Sequence, residues 1–507
     1  MDNRKKALNN LLSSSVQQAV TIVIGLLIPR LVITGYGSET NGLLNSVNQF
    51  MVYLALFEAG VSSASVQALY KPIATDNRQE INAILSATHK YYLRTGVLYF
   101  GGLILASLLY PFLTDSALDY GTIAAVVFLS GITNGISFFF QGKYVVFLLA
   151  EGRAYVYTRV VTVITVLAGL SKVMLLYFGF NVTVVLAASF VIHLLSPVCI
   201  YRYIKREHSW ISVKETPNSQ AISQKNHVLI QQIASMVFHN TDVLILTVFC
   251  SLKVVSVYSL YKLVITNLEN LLAILYNGFG FSLGQTYQVD KAKFTKQINV
   301  YETCYSVLAF TLFSAALHLL LPFMQLYTRG VTDINYCDPV LPWLFVSIAL
   351  LTAMRSTSLY VINFAGHFRQ TTPQTLLEAG LNLAISIGTA PVFGICGVLS
   401  GTIAALLYRT ADVILYSNRK LLNRSPWKTL SIHLANLLVL VLLWWIYSGL
   451  DLTIQSYLSF AAVGAADVLV TFVLLLAVQC LLQPELRKWL RTAAEALLHR
   501  RKKKTAK

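Results

Sequence analysis

Charged side chains stand in the middle of long apolar stretches of this chain: Lys172, Asp242, Lys262, Glu269, Arg355 and Arg409, with Arg30 nearer the end of its stretch. A lone charge at the centre of a bilayer costs roughly 2.5–3.5 kcal/mol on insertion scales, so such groups must face protein or water. Helical phase, at about 100° per residue, shows what shares their faces. Gln231, Gln232, Ser235, His239 and Asp242 fall on one arc. Tyr258, Ser259, Lys262, Thr266, Glu269, Asn270 and Asn277 fall on a second, and Thr352, Arg355, Ser356 and Asn363 on a third. Ser14, Gln17, Gln18 and Thr21 make a stripe near the start, and Asn41, Asn45, Asn48 and Gln49 another. The expectation is a central wet cavity. Arg30, Lys262 and Arg355 would meet an anionic group there, because a guanidinium offers phosphate two parallel hydrogen bonds. Gln17, Gln18, Asn48, Gln49 and Gln231 would add neutral hydrogen bonds. Asp242 and Glu269, with His239, are candidates to couple the process to a proton or sodium ion. The competing reading is structural: Asp242 with Lys262 on adjacent helices, and Arg409 with Asp412 three residues apart on one helix.

Nothing in the pattern suggests covalent catalysis. Gly142-Lys143 lacks the earlier glycine and the hydroxyl partner of a phosphate loop, and no Asp-x-Asp occurs. The loops are too short for a catalytic domain. The six cysteines have neither a disulfide framework nor metal spacing. No enzyme activity, cofactor or metal is therefore expected. The net charge of +17 reads as topogenic charge beside anionic lipid, with no nucleic-acid partner.

The elements that must position these residues are membrane helices. Hydrophobic residues make up 56% of the 507 and charged residues only 12%, against about 25% charged in a soluble domain. Apolar runs of spanning length recur about fourteen times, which predicts an all-α polytopic membrane protein. The runs 375–394 and 396–417 are close-coupled through Gly394 and Gly397. Most of the 39 Lys and Arg lie in alternate loops and at both ends, which puts both termini in the cytoplasm. The loop Lys143–Arg159 reads as an amphipathic helix on the cytoplasmic face.

An internal echo, Gln17-Gln18-x-x-Thr21 against Gln231-Gln232-x-x-Ser235, places two similar units in the same orientation. Parallel repeats of this kind are a transporter architecture. The expected organisation is a six-helix lobe at 1–205, a cytoplasmic linker at 206–227 and a second six-helix lobe at 228–425. Two extra helices at 426–484 and a basic cytoplasmic tail at 485–507 follow.

Several strings carry a family resemblance. Gly35-Tyr-Gly-Ser-Glu39-Thr-Asn-Gly42-Leu-Leu-Asn-Ser-Val-Asn-Gln49-Phe, then Leu-Phe-Glu58-Ala-Gly60 and Leu69-Tyr-Lys71-Pro72, resemble the first outer turn and second helix of bacterial polysaccharide transporters. Ala365-Gly366-His367-Phe368, Gly394-Ile-Cys-Gly397-Val-Leu-Ser-Gly401-Thr402 and Tyr408-Arg409-Thr410 resemble their C-terminal half. The family is the lipid-linked oligosaccharide flippases of the multidrug/oligosaccharidyl-lipid/polysaccharide (MOP) superfamily. The resemblance implies two pseudo-symmetric six-helix bundles plus two C-terminal helices in the bacterial cytoplasmic membrane. It implies flipping of an undecaprenyl-diphosphate-linked oligosaccharide, as for O-antigen or capsule, by alternating access without direct use of ATP. Glycosyltransferases and a polymerase of the same pathway would be partners, beside the membrane lipids. Two alternatives stay open: a cation-coupled multidrug-type exporter of the same superfamily, and a non-transport membrane component of polysaccharide assembly.

Overall fold

Long apolar stretches without partner strands have one way to satisfy their backbone in lipid, which is to bond within themselves as helices. The computed structural model describes residues 3–55, 61–114, 116–213, 215–218, 236, 240–449, 454–492 and 495, and among these every regular element is helical. Ten helices among the described residues are long and apolar enough to cross a membrane. Two of the ten, Leu12–Leu54 and Gln370–Leu421, run to 43 and 52 residues. At about 1.5 Å per residue each exceeds twice the roughly 30 Å hydrocarbon thickness, so each makes two crossings. Counting those two doubly and adding the more polar helix Leu252–Val289, which is also of spanning length, the described residues supply about thirteen of the roughly fourteen crossings that the apolar runs predict; the remaining run, 228–250, is described as a helix over Asn240–Phe249.

The described helices fall into two compact units. The first comprises Met1–Ser259 with Gly330–Ile334, the second Leu260–Arg329 with Asn335–Lys507. The first holds α1 (Asn3–Leu54), α2 (Val61–Ala74), α3 (Arg78–Leu113), α4 (Tyr120–Phe140), α5 (Gly142–Ala150), α6 (Ala154–Tyr177), α7 (Val182–His193), α8 (Leu195–Glu207) and α9 (Asn240–Phe249). It also takes the first turns of α10 (Leu252–Val289). Its core joins Leu43, Leu85, Leu103, Val126, Phe147 and Ile204. Small residues let these helices approach: a Cβ on Gly131 would strike Leu103, and one on Gly169 would strike Ile24. The expected surface helix near Lys143 exists as α5. Its apolar residues Val146, Phe147 and Leu148 are buried in that core.

The second unit holds the rest of α10, then α11 (Lys291–Tyr327), α12 (Val340–Ala365), α13 (Phe368–Tyr416), α14 (Trp427–Ser448) and α15 (Tyr457–Leu482). A short π-helical turn, Ser417–Leu421, ends α13. Here α11 packs against α12, α14 and α15, and α12 against α13.

Two glycines divide the doubly long helices. Gly37 (φ 86°, ψ 166°) interrupts α1 and Gly394 (φ 53°, ψ −127°) interrupts α13, the latter where the sequence couples 375–394 to 396–417. Both need positive φ, which glycine alone adopts without strain. The bend at Gly37 frees the amides of the turn that follows. Ser38 N–H donates to Asp333 Oδ2 at 2.8 Å, and Ser38 Oγ donates to Asp333 Oδ1 at 2.7 Å. A carboxylate thus sits on the positive end of the second half of α1. Burial pushes Asp333 up, but the Ser38 bonds and nearby Lys253 outweigh it and hold the acid below the usual carboxylate range. A depressed acid stabilises the fold above its unfolded pKa and loses that contribution as pH falls through the folded one. The melting temperature of the detergent-purified protein should exceed that of Asp333→Asn at neutral pH. The gap should close on acidification below about pH 4.

Gly42 is the tightest approach in the first unit: a Cβ there would lie 1.7 Å from the Leu252 carbonyl oxygen. Backbone cannot give way as a side chain can. Gly42→Val should destabilise by about 1–3 kcal/mol or more, read as a lowered melting temperature, whereas Gly101→Ala, with nothing within 4 Å, should be near neutral.

Candidate functional site

In the second unit, α10, α11 and α12 turn polar faces toward one another. Thr352, Ser356 and Tyr360 follow one face of α12; Glu269 and Asn270 come from α10 and Tyr305 from α11. With Leu272, Ala273, Phe313, Ala349 and Ala353 they line a cavity of about 230 Å³. At about 30 Å³ per water, that is room for several waters or one small ionic group, not for a sugar chain. The Tyr305 hydroxyl is hydrogen-bonded with Ser356 and Tyr360 and lies near Glu269. Glu269 in turn feels the charges of Lys262 and Arg355. The polar lining is built of oxygens around one carboxylate, apart from the Asn270 amide nitrogen. That is the donor set of a proton or a hard monovalent cation.

Beside it lies a buried ionic chain. Arg355 Nη1 donates to Glu378 Oε1, and Arg409 Nε stands 3.5 Å from Glu378 Oε2. Arg409 Nη1 also donates to Asp412, and its Nη2 to Thr375 Oγ1 at 2.9 Å. The helices explain the geometry: Glu378 on the first half of α13 faces both Arg355 on α12 and Arg409 on the second half of α13, folded back at Gly394. Asn382 Nδ2 donating to Thr402 Oγ1 at 2.9 Å, and Ser386 Oγ donating to the Val398 carbonyl, continue the same seam. Two arginines and two acids leave this chain formally neutral.

The residues singled out by the sequence distribute as follows. Arg355, Lys262 and Glu269 belong to the second unit, Arg355 buried and the other two partly buried. Arg355 is held by Glu378, which the sequence pattern did not bring forward. Arg409 does pair with Asp412, and reaches Glu378 as well. Asp242 is buried in the first unit, where Tyr258 Oη donates to its Oδ2 at 2.8 Å. Arg30, Gln17, Gln18 and Gln49 are partly buried in the first unit and Asn48 is exposed. The amide nitrogen of Gln49 is buried without a hydrogen-bond partner. Gln231, His239 and Glu58 lie outside the described residues. Among the described residues no group of three or more His, Cys, Asp or Glu could hold a metal ion.

Comparison with solved structures bears on this arrangement. The chain is similar to a lipid II flippase, MurJ, in an inward closed conformation: TM-score 0.68, 12% identity, 93% of this chain and 99% of that one. It is also similar to an inward-facing multidrug resistance MATE family transporter of the MOP superfamily (0.56, 15%, 81% and 98%). A MATE structure in a bent conformation gives 0.55 at 13%, over 83% and 96%. This chain has the fold of those transporters. It is a polytopic, all-α membrane protein, and at these identities the likeness is one of fold. Neither protein-family models nor curated proteins give a match.

Glu378 serves two arginines at once. Removing one partner of a buried pair leaves an uncompensated charge, which costs about 3–5 kcal/mol. Glu378→Gln should lower stability by that order in thermal or denaturant unfolding of the purified protein. Asp412→Asn should cost clearly less, because Asp412 is 23% exposed at its side chain and Arg409 keeps Glu378.

Proposed function

We propose that the chain is a flippase that moves an undecaprenyl-diphosphate-linked oligosaccharide across the bacterial cytoplasmic membrane for surface-polysaccharide assembly. The observation that carries this reading is the fold match to a lipid II flippase over 93% of the chain, against 81% for a MATE transporter. The quoted family strings point the same way. We place both termini in the cytoplasm, on the distribution of Lys and Arg, and the glycosyltransferases and polymerase of the pathway as neighbours in the membrane.

Each step asks something different of the protein. The diphosphate needs cationic donors, and in the second unit Lys262 is the candidate because it stands two turns from Glu269 on α10, while Arg355 also holds Glu378. An anionic diphosphate that engages Lys262 takes that positive charge out of the field at Glu269, so the carboxylate holds a proton or cation more firmly when substrate is bound. That co-binding links substrate to ion, since a ligand shifts an equilibrium only by its differential affinity for the two states. Glu269 is accordingly the coupling residue of this proposal, with Asp242 as a second candidate in the first unit. The polyprenyl chain stays in the acyl region, where apolar surface has no reason to leave.

One observation favours the second reading, a cation-coupled exporter of small molecules: the acid in the 230 Å³ cavity suits a cation as well as it suits ion coupling to a lipid substrate. The two are separated by transport assays on one preparation. Proteoliposomes holding a fluorescent undecaprenyl-diphosphate oligosaccharide should expose it to an added glycosidase when the protein is present. Glu269→Gln and Lys262→Gln should lose that activity while eluting as the wild type does. Normal flipping in both variants would remove this cavity from the mechanism. Efflux of cationic dyes with no lipid flipping would establish the exporter.

A further inference from the structure

The two C-terminal helices carry a polar seam that the substrate reading does not use. On α11, Glu302, Ser306, Phe310, Ser314 and His318 follow one another at intervals of four, so they form one line along the helix. On α15 the buried residues are Asp467, Thr471, Leu475 and Gln479, again at intervals of four. The helix α14 adds Thr429, His433, Asn436 and Tyr447.

These lines meet. At one end Arg424 Nη2 donates to Glu302 Oε2 at 2.6 Å, and Thr429 Oγ1 donates to Glu302 Oε1 at 2.8 Å. Next, Ser306 Oγ stands 3.1 Å from His433 Nδ1 and accepts from Asn436 Nδ2 at 2.9 Å. Asn436 Oδ1 accepts from Gln479 Nε2 at 2.8 Å. Toward the other end His318 Nδ1 lies 3.0 Å from Asp467 Oδ2, Thr471 Oγ1 donates to Asp467 Oδ1 at 3.1 Å, and the Tyr447 ring packs on His318 at 4.5 Å between centroids. The side chains of His318 and Asp467 are 8% and 1% exposed. Between the two clusters the seam is closed by Phe310, stacked on His433, and by Leu475.

A seam that only fastened helices together would satisfy its own polar atoms. This one leaves His318 Nε2, Ser314 Oγ and Gln479 Oε1 buried without hydrogen-bond partners. A buried polar atom without a partner is destabilising, so its presence asks for a role. His318 and Ser314 are one turn apart on the same line of α11, so the open nitrogen and the open hydroxyl belong to neighbouring side chains.

We propose that α11, α14 and α15 form a proton path, with the His318–Asp467 pair as its proton-holding site. A proton delivered to Asp467 Oδ2 passes to His318 Nδ1, and the ring releases one from Nε2 toward Ser314. Charge and protons balance, and no heavy-atom bond changes. Among the described residues, Glu302, Arg424, His433 and Tyr447 are further ionisable groups in contact with this seam, and Cys304 lies near Cys480 on the same two helices. The residues of the path share none with the cavity around Glu269.

The test uses the full chain in vesicles with a trapped pH dye and a potassium diffusion potential, without any lipid-linked sugar. Wild-type vesicles should acidify faster than protein-free ones. His318→Gln and Asp467→Asn should lose the excess rate, and Asp467→Glu should keep it. Leu475→Asn, which makes the closed middle polar, should raise it. A wild-type rate equal to that of empty vesicles overturns the proposal, as does wild-type conduction in both His318→Gln and Asp467→Asn. Where those two variants do not elute as folded protein, Leu475→Asn decides, and an unchanged rate there overturns it. Because no lipid substrate is present, failure here leaves the flippase reading standing, and failure of flipping leaves the path standing.

Discussion

Lipid supplies no hydrogen bonds, so every polar group carried into it must find its partner within the protein. That constraint organises both units. It makes each spanning segment a helix, and it turns the intramembrane charges toward other helices instead of outward. It also explains why the doubly long helices turn at glycines. A turn exposes backbone amides, and at Gly37 those amides are met at once by Asp333 through Ser38. At Gly394 the two halves of α13 fold back, so that Thr389 Oγ1 donates to the Gly397 carbonyl at 2.8 Å and Glu378 comes opposite Arg409. Glycine is needed there for its backbone. The polar side chains on either side then use the proximity that the turn creates.

The same constraint sorts what could be read from the chain from what could not. Apolar runs and their lengths are local properties, so helix number and the all-α class were legible. So was the local pair Arg409–Asp412, three residues apart. Partnerships across tens of residues were not. Glu378 lies near the start of its span, where an acid is cheap and unremarked, and only the fold brings it under Arg355. Asp467 is a single acid in one of the most apolar stretches of the chain. Its meaning depends on His318, which comes from a helix nearly 150 residues earlier. A period-of-four search along 300–323 and 457–482 would have found both lines, though not that they face each other.

The candidate site changes character once its partners are known. Read from the sequence, Arg355 is a cation looking for an anion. In the structure it belongs to a neutral chain of two arginines and two acids. A neutral chain fixes the angle between α12 and α13 and leaves the local field to the groups outside it. Those are Lys262 and Glu269, of opposite sign on one face of α10, two turns apart. Their interaction is what an arriving anion or cation alters, because the Lys262 charge acts directly on the Glu269 carboxylate. The weight of the site moves from the arginines, which the residue types favoured, to α10.

That shift bears on how a carrier can couple two ligands. A charge locked in a salt bridge responds weakly to a newcomer, since the newcomer must first replace a partner at short range. An acid whose cationic neighbours are near but not locked to it responds strongly, because its occupancy depends on them directly. Glu269, in a cavity with room for a few waters and within the field of Lys262 and Arg355, is of the second kind. His318 and Asp467 are of the first: they hold each other, and can respond only to a proton, the one ion small enough to enter between them. In the functions proposed above the two ionic centres therefore work on opposite principles: an ion that binds together with substrate would sit at the open one, and one that moves alone at the closed one.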